Sequence, residues 1–264
     1  MSERSDRPRD PFWWSRGLSS SAAVPGWPEP LWAGFTGQGG AVQGSPYGRD
    51  NLGQHVGDDA DRVDANRRAV AECAGVPSSH LLFVDQAHRT EVLVAEGPWE
   101  TEVPSADAVV TRIPGLALAV MVADCVPVLL LDGRAGVVGV VHAGRQGMAD
   151  GVVEAALDAM ADLGARAVHA VVGPSICARC YEVPEKLRRD VAVAVPLSAS
   201  VSRTGTPSLD LAAGVLEQLS GCAQVELVPG CTAECANLFS YRRDGRTGRF
   251  AGVVGIGPPQ ARHD

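Results

Sequence analysis

Two histidines and one cysteine are the residues of this chain whose types and positions could hold a single metal ion. Cys125 lies between two apolar runs, His142 ends the apolar run that follows them, and His88 lies upstream of all three runs. Two imidazoles and one thiolate leave one position of a tetrahedral zinc open, as in catalytic zinc sites, whereas structural zinc is usually closed by four protein ligands. A metal with an open position activates a nucleophile near neutral pH. His88, Cys125 and His142 therefore predict a catalytic metal centre.

Copper is the alternative metal, because two histidines and one cysteine are also the equatorial ligands of a blue-copper centre. A multicopper oxidase, however, needs many more histidines than the six of this chain, none of which belongs to a His-x-His pair. Neutral imidazoles and a thiolate form a borderline-soft set of ligands that suits zinc. We therefore expect Zn²⁺, with copper as the less favoured ion.

The other cysteines do not complete a known catalytic motif. Zinc deaminases of the cytidine type combine His-x-Glu with Pro-Cys-x-x-Cys, and Cys177-Ala-Arg-Cys180 resembles only the second half. The glutamate that should stand two residues after His142 or His169 is missing. No thioredoxin-like context supports a redox role for the Cys-x-x-Cys segment. We interpret two pairs of cysteines as inert thiols: Cys177 with Cys180, and Cys231 with Cys235.

Length, charge and cysteine number limit the classes of protein to which this chain can belong. Its 264 residues, 45% of them hydrophobic, are enough for one domain with a substantial core. A net charge of −8 without a basic run argues against binding to a nucleic-acid polymer. No apolar run has the length of a membrane span, and no signal peptide begins the chain. With an odd number of cysteines, we expect reduced thiols and a cytoplasmic protein without a membrane partner.

The pattern of apolar residues predicts a layered αβα domain, α/β to α+β in class, with a mixed and largely buried β-sheet. Residues 1–30 are expected to be a disordered or loosely docked arm, and residues 31–264 a single catalytic domain. The glycine-rich segment 34–57 is a candidate substrate loop. Helices are predicted over 58–74, 148–163 and 210–219, and strands over 81–84, 92–95, 108–111, 116–123, 126–131, 137–141 and 168–172.

Two residues next to the candidate ligands are expected to support them. Asp124 adjoins Cys125, but strand alternation points it away from the face of Cys125, so it should fix the turn or orient a ligand. Gln86, two residues before His88, is assigned the same kind of supporting role. The general acid or base of the reaction stays unassigned.

A set of motifs resembles the YfiH-type family, which is known both as the laccase-domain or polyphenol oxidoreductase family and as the peptidoglycan editing factors. The matching motifs occur in the same order and extend from about residue 32 to residue 252. They are Asn51-Leu-Gly, Val56-Gly-Asp-Asp59, Gln86-Ala-His88, Ser105-Ala-Asp-Ala-Val-Val-Thr111, Ala123-Asp-Cys-Val-Pro127, His142-Ala-Gly144, Gly173-Pro-Ser-Ile176, Cys180-Tyr-Glu-Val183, Phe239-Ser-Tyr-Arg-Arg-Asp-Gly245 and Thr247-Gly-Arg249.

The resemblance implies that His88, Cys125 and His142 bind a catalytic zinc. It also implies phosphorolysis of adenosine, inosine and methylthioadenosine, together with deamination of adenosine. The substrates would then be a small nucleoside and phosphate, and we expect a monomer or a weak homodimer.

Candidate phosphate ligands are Arg145, which follows the His142 motif, and Arg242 and Arg243 in the C-terminal motif. The alternative for Arg242, Arg243 and Asp244 is an ion-paired loop. The chain departs from the family at two places, since Gly37-Gln38 lacks the arginine expected in a Thr-Arg-x-Gly-Gly loop and Arg145-Gln146 replaces an expected Trp-Arg. If the family arginines hold phosphate, phosphorolysis is weakened here unless Arg145 compensates from the neighbouring position.

The sequence leaves more than one function open. The main hypothesis is a zinc-dependent purine nucleoside enzyme, and the alternative is a hydrolase that edits peptidoglycan precursors with the same zinc-bound water. A copper polyphenol oxidase and a non-catalytic binding protein rank below these two. An intact set of His88, Cys125 and His142 argues against the non-catalytic hypothesis.

Overall fold

The computed structural model describes residues 10–17 and 31–257, which form two large β-sheets with helices on their outer faces and a third sheet of only two strands. Within these residues the strands are β1 (Phe12–Arg16), β2 (Leu31–Thr36), β3 (Leu81–Leu82), β4 (Val92–Val94), β5 (Ala108–Thr111), β6 (Ala117–Val122), β7 (Val126–Asp132), β8 (Val137–Ala143), β9 (His169–Val172), β10 (Ala199–Val201), β11 (Pro207–Leu209), β12 (Gln224–Leu227) and β13 (Phe250–Ile256). The helices are α1 (Ala60–Cys73), α2 (Arg145–Asp150), α3 (Val152–Asp162), α4 (Glu185–Ala194), α5 (Leu211–Gln218) and α6 (Tyr241–Asp244).

Both large sheets mix parallel and antiparallel neighbours. The five-stranded sheet has the order β1-β2-β13-β6-β3, and the six-stranded sheet has the order β12-β9-β7-β8-β5-β4. In the six-stranded sheet the central pairs are antiparallel, whereas the pairs β12–β9 and β4–β5 at its two edges are parallel. The predicted α/β class with mixed strand directions is confirmed.

The two sheets pack face to face, so the domain has four layers rather than the expected three. Leu118 of β6 lies in the same apolar cluster as Leu129 of β7. The outer face of the five-stranded sheet packs on α1, and that of the six-stranded sheet packs on α2, α3, α4 and α5. Successive residues of β7 point to opposite faces of the sheet. Leu129 packs in the apolar cluster between the two sheets, and Leu130 packs in the cluster beneath the helices. Strands buried on both sides explain their continuous apolar composition.

None of the helices in the described part of the chain is both long enough and apolar enough to span a bilayer.

The helix predicted over 148–163 is in fact two helices, because Gly151 between α2 and α3 adopts a φ of +92°. A left-handed residue ends a helix, and glycine adopts this conformation without strain.

The N-terminal arm contains a strand where no regular element was expected. Within residues 1–30 the structure describes 10–17, and β1 pairs antiparallel with β2 at the edge of the five-stranded sheet. The ring of Trp14 lies 5.4 Å from that of Phe35, so it covers an apolar part of the body. The rest of the expected arm lies outside the described residues.

Asp132, at the end of β7, ties two turns together. Its buried carboxylate accepts hydrogen bonds from the backbone N–H groups of Arg134 and Ala135 at 3.0 Å each. It also accepts from those of Arg166 at 2.7 Å and Ala167 at 2.8 Å. Burial opposes ionisation, but the four N–H donors outweigh it and hold the pKa of Asp132 below its ordinary value.

Replacing Asp132 tests this tie. Asp132→Asn should lower the free energy of unfolding at pH 7 by about 1–3 kcal/mol. The NH₂ group of asparagine cannot accept the hydrogen bonds that one carboxylate oxygen of Asp132 now accepts, so backbone N–H groups would lose their partner. A depressed folded-state pKa adds stability above the ordinary value of 3.8, and this stability is lost as the pH falls through the folded-state pKa. The difference from wild type should therefore shrink in acid.

Urea denaturation at several pH values measures the effect of this substitution. Asp158→Asn, on the exposed side of α3, is the matched control and should change stability little. An equal loss in both variants, or a difference that grows in acid, would contradict the role of Asp132.

Candidate active site

One cavity of about 460 Å³ opens where β7 begins and β8 ends. These two strands are antiparallel, and Pro127 pairs with His142, so the start of one lies beside the end of the other. A volume of this order fits a small organic molecule. The residues that line the cavity are His55, Val84, Asp85, Gln86, His88, Met121, Val122, Ala123, Asp124, Cys125, His142, Arg145, Ile176, Tyr181, Leu211, Tyr241, Arg242 and Arg249.

The three sequence-predicted metal ligands meet in this cavity. One potential ligand atom from each of His88, Cys125 and His142 lies within 4.8 Å of the other two. The Sγ atom of Cys125 is 3.9 Å from Nε2 of His88. The two imidazole rings are nearly perpendicular, with their centres 4.6 Å apart. His142 is buried and His88 is exposed, so the trio lies between the protein interior and the cavity.

Asp107 orients both histidines. It directly precedes β5, whose first residue pairs with Val141, so its carboxylate lies next to His142. Nδ1 of His142 donates to Oδ1 of Asp107 at 2.7 Å, which leaves Nε2 as the nitrogen available to a metal. The same carboxylate accepts from the backbone N–H of His88 at 3.0 Å and of Arg89 at 2.6 Å. One buried anion therefore fixes the tautomer of one ligand and the backbone of the other.

The backbone of His88 is held in an uncommon conformation. Its φ of +59° lies in the left-handed region, which histidine adopts more readily than β-branched residues do. The side chain of Gln86 fixes the preceding turn, because its Nε2 donates to the carbonyl of Met121 at 2.7 Å and its Oε1 accepts from the N–H of Met121 at 2.8 Å. Gln86 thus joins the segment that carries His88 to the end of β6.

Gly144 allows the ligands to approach one another. A Cβ atom at this position would lie 2.8 Å from Cδ2 of His88 and 3.3 Å from Sγ of Cys125. The first distance is shorter than a van der Waals contact, so a larger residue would displace the imidazole. The glycine that follows the His142 motif is therefore required by packing and not by a positive φ, since its φ is −72°.

The electrostatics of the trio favour the thiolate form of Cys125 and, until a metal displaces its proton, the protonated form of His142. Burial alone would suppress ionisation of Cys125, but His142 and His88 outweigh it and lower the pKa of this thiol to about 6. Burial likewise opposes protonation of His142, but the Cys125 thiolate and the Asp107 carboxylate raise its pKa to about 9. A thiolate is the form of cysteine that binds metals. The donor set, with a histidine fixed by a carboxylate, fits zinc.

Asp124 fixes the turn that precedes β7. Its φ is +98°, and its carboxylate accepts hydrogen bonds from Oγ1 of Thr232 at 2.6 Å and Oγ of Ser240 at 2.7 Å. It also accepts from the backbone N–H of Arg242 at 2.6 Å. Asp124 therefore joins the turn beside Cys125 to the segment that carries Arg242.

The structure separates the three candidate phosphate ligands. Arg145 and Arg242 line the cavity, and the guanidinium of Arg242 lies 4.8 Å from the centre of the Tyr181 ring. Arg243 does not line it, because its guanidinium donates to the carbonyls of Thr232, Cys235 and Leu238 and pairs with Asp244 at 2.7 Å. Successive residues of α6 point in different directions. The ion-paired alternative therefore describes Arg243, and its assignment to phosphate is corrected.

Four residues of the site were not singled out by the sequence. Asp107 and Arg249 lie inside quoted motifs that received no role, and His55 lies in the glycine-rich segment interpreted as a substrate loop. Tyr181 follows Cys180 in another quoted motif. Burial, Arg249 and Arg67 lower the pKa of His55, so its imidazole is neutral at pH 7. A buried acidic residue just before an apolar strand was the signal that could have identified Asp107.

Most of the chain matches one known protein family. Residues 32–257 match the family described as multi-copper polyphenol oxidoreductase laccase. The chain is 50% identical over 226 residues to the purine nucleoside phosphorylase ORF3 of Streptomyces griseus, covering 83% of this chain and 92% of that relative. It is 34% identical over 243 residues to the purine nucleoside phosphorylase YfiH of Escherichia coli K12, covering 89% of this chain and 98% of that relative.

Solved structures give the same answer for the fold. The crystal structure of YlmD from Geobacillus stearothermophilus matches with a TM-score of 0.79 and 30% identity, covering 94% of this chain and all of that one. YfiH of Bacillus licheniformis matches with a TM-score of 0.77 and 31% identity, covering 86% of this chain and 92% of that one. The chain therefore belongs to the multi-copper polyphenol oxidoreductase laccase family, the YfiH-type family that its motifs resemble.

Proposed function

We propose that this protein is a zinc-dependent purine nucleoside phosphorylase that acts on adenosine, inosine and methylthioadenosine. The observation that carries the proposal is the convergence of His88, Cys125 and His142 with cationic side chains in one cavity. The names of the relatives support the same activity. Phosphorolysis joins a phosphate oxygen to C1′ of the ribose and breaks the bond from C1′ to the purine, which leaves with a proton.

Three arginines give the cavity the charge that phosphate requires. Arg145, Arg242 and Arg249 line the cavity, and guanidinium groups form charge-assisted hydrogen bonds with phosphate oxygens. Arg242 is partly committed, because it also donates to the carbonyl of Glu182 at 2.9 Å. The pKa of Arg249 is lowered by burial, yet a guanidinium stays charged at neutral pH. We therefore assign phosphate chiefly to Arg145, with Arg242 and Arg249 as further cationic donors.

The remaining walls suit a purine nucleoside. Met121, Ile176 and Leu211 offer apolar surface, and Tyr181 and Tyr241 add aromatic rings. Aromatic and apolar walls bind flat heterocycles, and a few polar groups then fix their orientation. The neutral imidazole of His55 can donate or accept one hydrogen bond with the base or the ribose.

A zinc ion held by His88, Cys125 and His142 would supply a Lewis acid beside the reacting atoms. The protein contributes orientation, because Asp107 and Gln86 hold the ligands in place before substrate binds. It also contributes electrostatic stabilisation, since fixed cations act most strongly on charge that develops in a partly enclosed site.

Adenosine deamination is proposed as a second activity of the same site, and peptidoglycan-precursor editing is the competing hypothesis, because both would use the same ligands. Purified protein should convert inosine to hypoxanthine only when inorganic phosphate is present, with ribose 1-phosphate as the second product. Parallel incubations contain adenosine without phosphate, muropeptide precursors with a wrong first amino acid, and a phenol with oxygen. Activity only in one of these incubations would reject the phosphorylase and identify the competing deaminase, hydrolase or oxidase.

Cys125→Ser should abolish phosphorolysis and remove the metal of this site, because serine is a far poorer zinc ligand than a thiolate at neutral pH. Metal content by mass spectrometry and product formation by chromatography measure the two effects. Cys222→Ser, at a thiol outside the cavity, is the matched control and should keep both. Copper in place of zinc in the wild-type protein would contradict the proposed cofactor.

The role of Asp107 can be separated from that of the ligands. Asp107→Asn keeps the size of the side chain but weakens its hydrogen bonds, so zinc affinity should fall by roughly 10- to 100-fold. Competition with a chelator measures the affinity. Asp85→Asn, which changes another carboxylate of the same cavity, is the control. Unchanged affinity in Asp107→Asn would show that this carboxylate does not orient the ligands.

Arg145→Ala tests the assignment of phosphate. A lost charge-assisted hydrogen bond costs about 1–3 kcal/mol, so the half-saturating phosphate concentration should rise by roughly 5- to 150-fold. Zinc content and the half-saturating nucleoside concentration should change little. Arg134→Ala, in the turn at the opposite end of β7, is the control. An unaltered phosphate dependence would remove Arg145 from the phosphate site.

A further inference from the structure

We propose that this protein has a second metal site, a structural zinc site formed by Cys177, Cys180, Cys231 and Glu234. The side chains belong to two turns, Cys177-Ala-Arg-Cys180 and Cys231-Thr-Ala-Glu234. Each turn places its second ligand three residues after its first, as the two halves of many structural zinc sites do. The site is separate from the cavity trio and shares no residue with it.

The four potential ligand atoms already converge. One sulfur from each cysteine and one carboxylate oxygen of Glu234 lie within 4.8 Å of one another. Sγ of Cys180 is 3.6 Å from Oε1 of Glu234. The three thiols are free and not joined in a disulfide. Three sulfur atoms gathered around one point, with an oxygen as the fourth donor, form a closed set of the composition that zinc prefers.

The fold brings these turns together without help from a metal. They follow β9 and β12, which are adjacent parallel strands with Val172 opposite Leu227, so both chains leave the sheet at the same edge. Beyond the strands, Ser175 and Cys231 form a further parallel bridge. The ligands are therefore held by a framework that exists before the ion binds, which lowers the conformational entropy lost on binding.

Local hydrogen bonds shape each turn. The N–H of Cys180 donates to the carbonyl of Cys177 at 2.9 Å, and the N–H of Glu234 donates to that of Cys231 at 3.1 Å. The N–H of Cys177 lies 3.4 Å from Sγ of Cys231 and donates to it. Backbone donors of this kind stabilise negative charge on sulfur. The turns thus hold three thiols in positions from which all of them could bind one ion.

Arg203 supplies a nearby positive charge. Its guanidinium contacts Oε1 of Glu234 at 2.5 Å and Sγ of Cys180 at 2.7 Å. Three thiolates and a carboxylate would leave a bound divalent ion with excess negative charge, and an adjacent cation offsets part of that charge. Arg203 is exposed, so it can remain beside the ligands while the ion takes the central position.

A metal at this second site would affect the shape of the active-site cavity, because residues next to the proposed ligands line or support that cavity. Ile176 and Tyr181, which line the cavity, directly adjoin Cys177 and Cys180. Thr232, next to Cys231, donates to Asp124 at the turn before β7. A metal that clamps the two turns would therefore fix one wall of the cavity without contacting substrate. Four protein ligands leave no open position, so this zinc would have a structural role.

The test measures zinc in chains whose cavity site is disabled. Protein made without added metal or a histidine tag should contain about two zinc ions in wild type, about one in Cys125→Ser and none in Cys125→Ser/Cys180→Ser. Cobalt added to metal-free Cys125→Ser should give intense thiolate-to-metal absorption, which Cys180→Ser should weaken. Zinc content in Cys125→Ser that is zero, or is unaffected by Cys180→Ser, would overturn the proposal.

A second pair of variants tests the fourth ligand and guards against loss of folding. In the Cys125→Ser background, Glu234→Gln should weaken zinc binding at least tenfold in competition with a chelator, while Cys235→Ser should not. Cys235 is the matched control because it is a neighbouring thiol outside the four converging atoms. Equal loss in both variants would overturn the assignment of Glu234. A Cys177–Cys180 disulfide in freshly purified protein under reducing conditions would replace the metal site with a redox pair.

Discussion

The hydrogen bonds of one buried carboxylate govern the geometry of the candidate active site. Asp107 accepts from the imidazole of His142 and from the backbone of His88, so two ligands that lie far apart in sequence depend on one group. Removing a carboxylate from water is unfavourable unless donors satisfy it. Here two of the three donors belong to the candidate ligands themselves, so the same hydrogen bonds stabilise the buried charge and orient the trio.

Much of the candidate trio of His88, Cys125 and His142 could be predicted from the sequence, because strand ends and glycine turns are local signals. Apolar runs located β7 and β8, and the residues at their ends gave Cys125 and His142. The pairing of two sheets was not predictable in the same way. An apolar strand shows that both faces are covered, but it does not show whether a helix or a second sheet covers each face. Asp107 was missed because its role depends on the register of β5 with β8.

Two residues that are adjacent in sequence can lie in different environments, and only the fold shows which environment each one has. Arg242 reaches the cavity, whereas Arg243 satisfies carbonyl groups of its own loop. The cysteines show the reverse case. Each Cys-containing turn was interpreted alone as inert, but the parallel pairing of β9 and β12 brings potential ligand atoms of both turns together. Sequence spacing within a turn is informative, and proximity between turns requires the topology.

The register of β7 and β8 also has a consequence for how the chain folds. Cys125 and His142 belong to a hairpin, so their contact forms between segments close in sequence and costs little loop entropy. His88 must arrive across a separation of 37 residues from Cys125. Local contacts generally form sooner than distant ones during folding. In a folding chain, Cys125 and His142 would therefore come into contact early. Closure of the loop that carries the exposed His88 would then complete the trio.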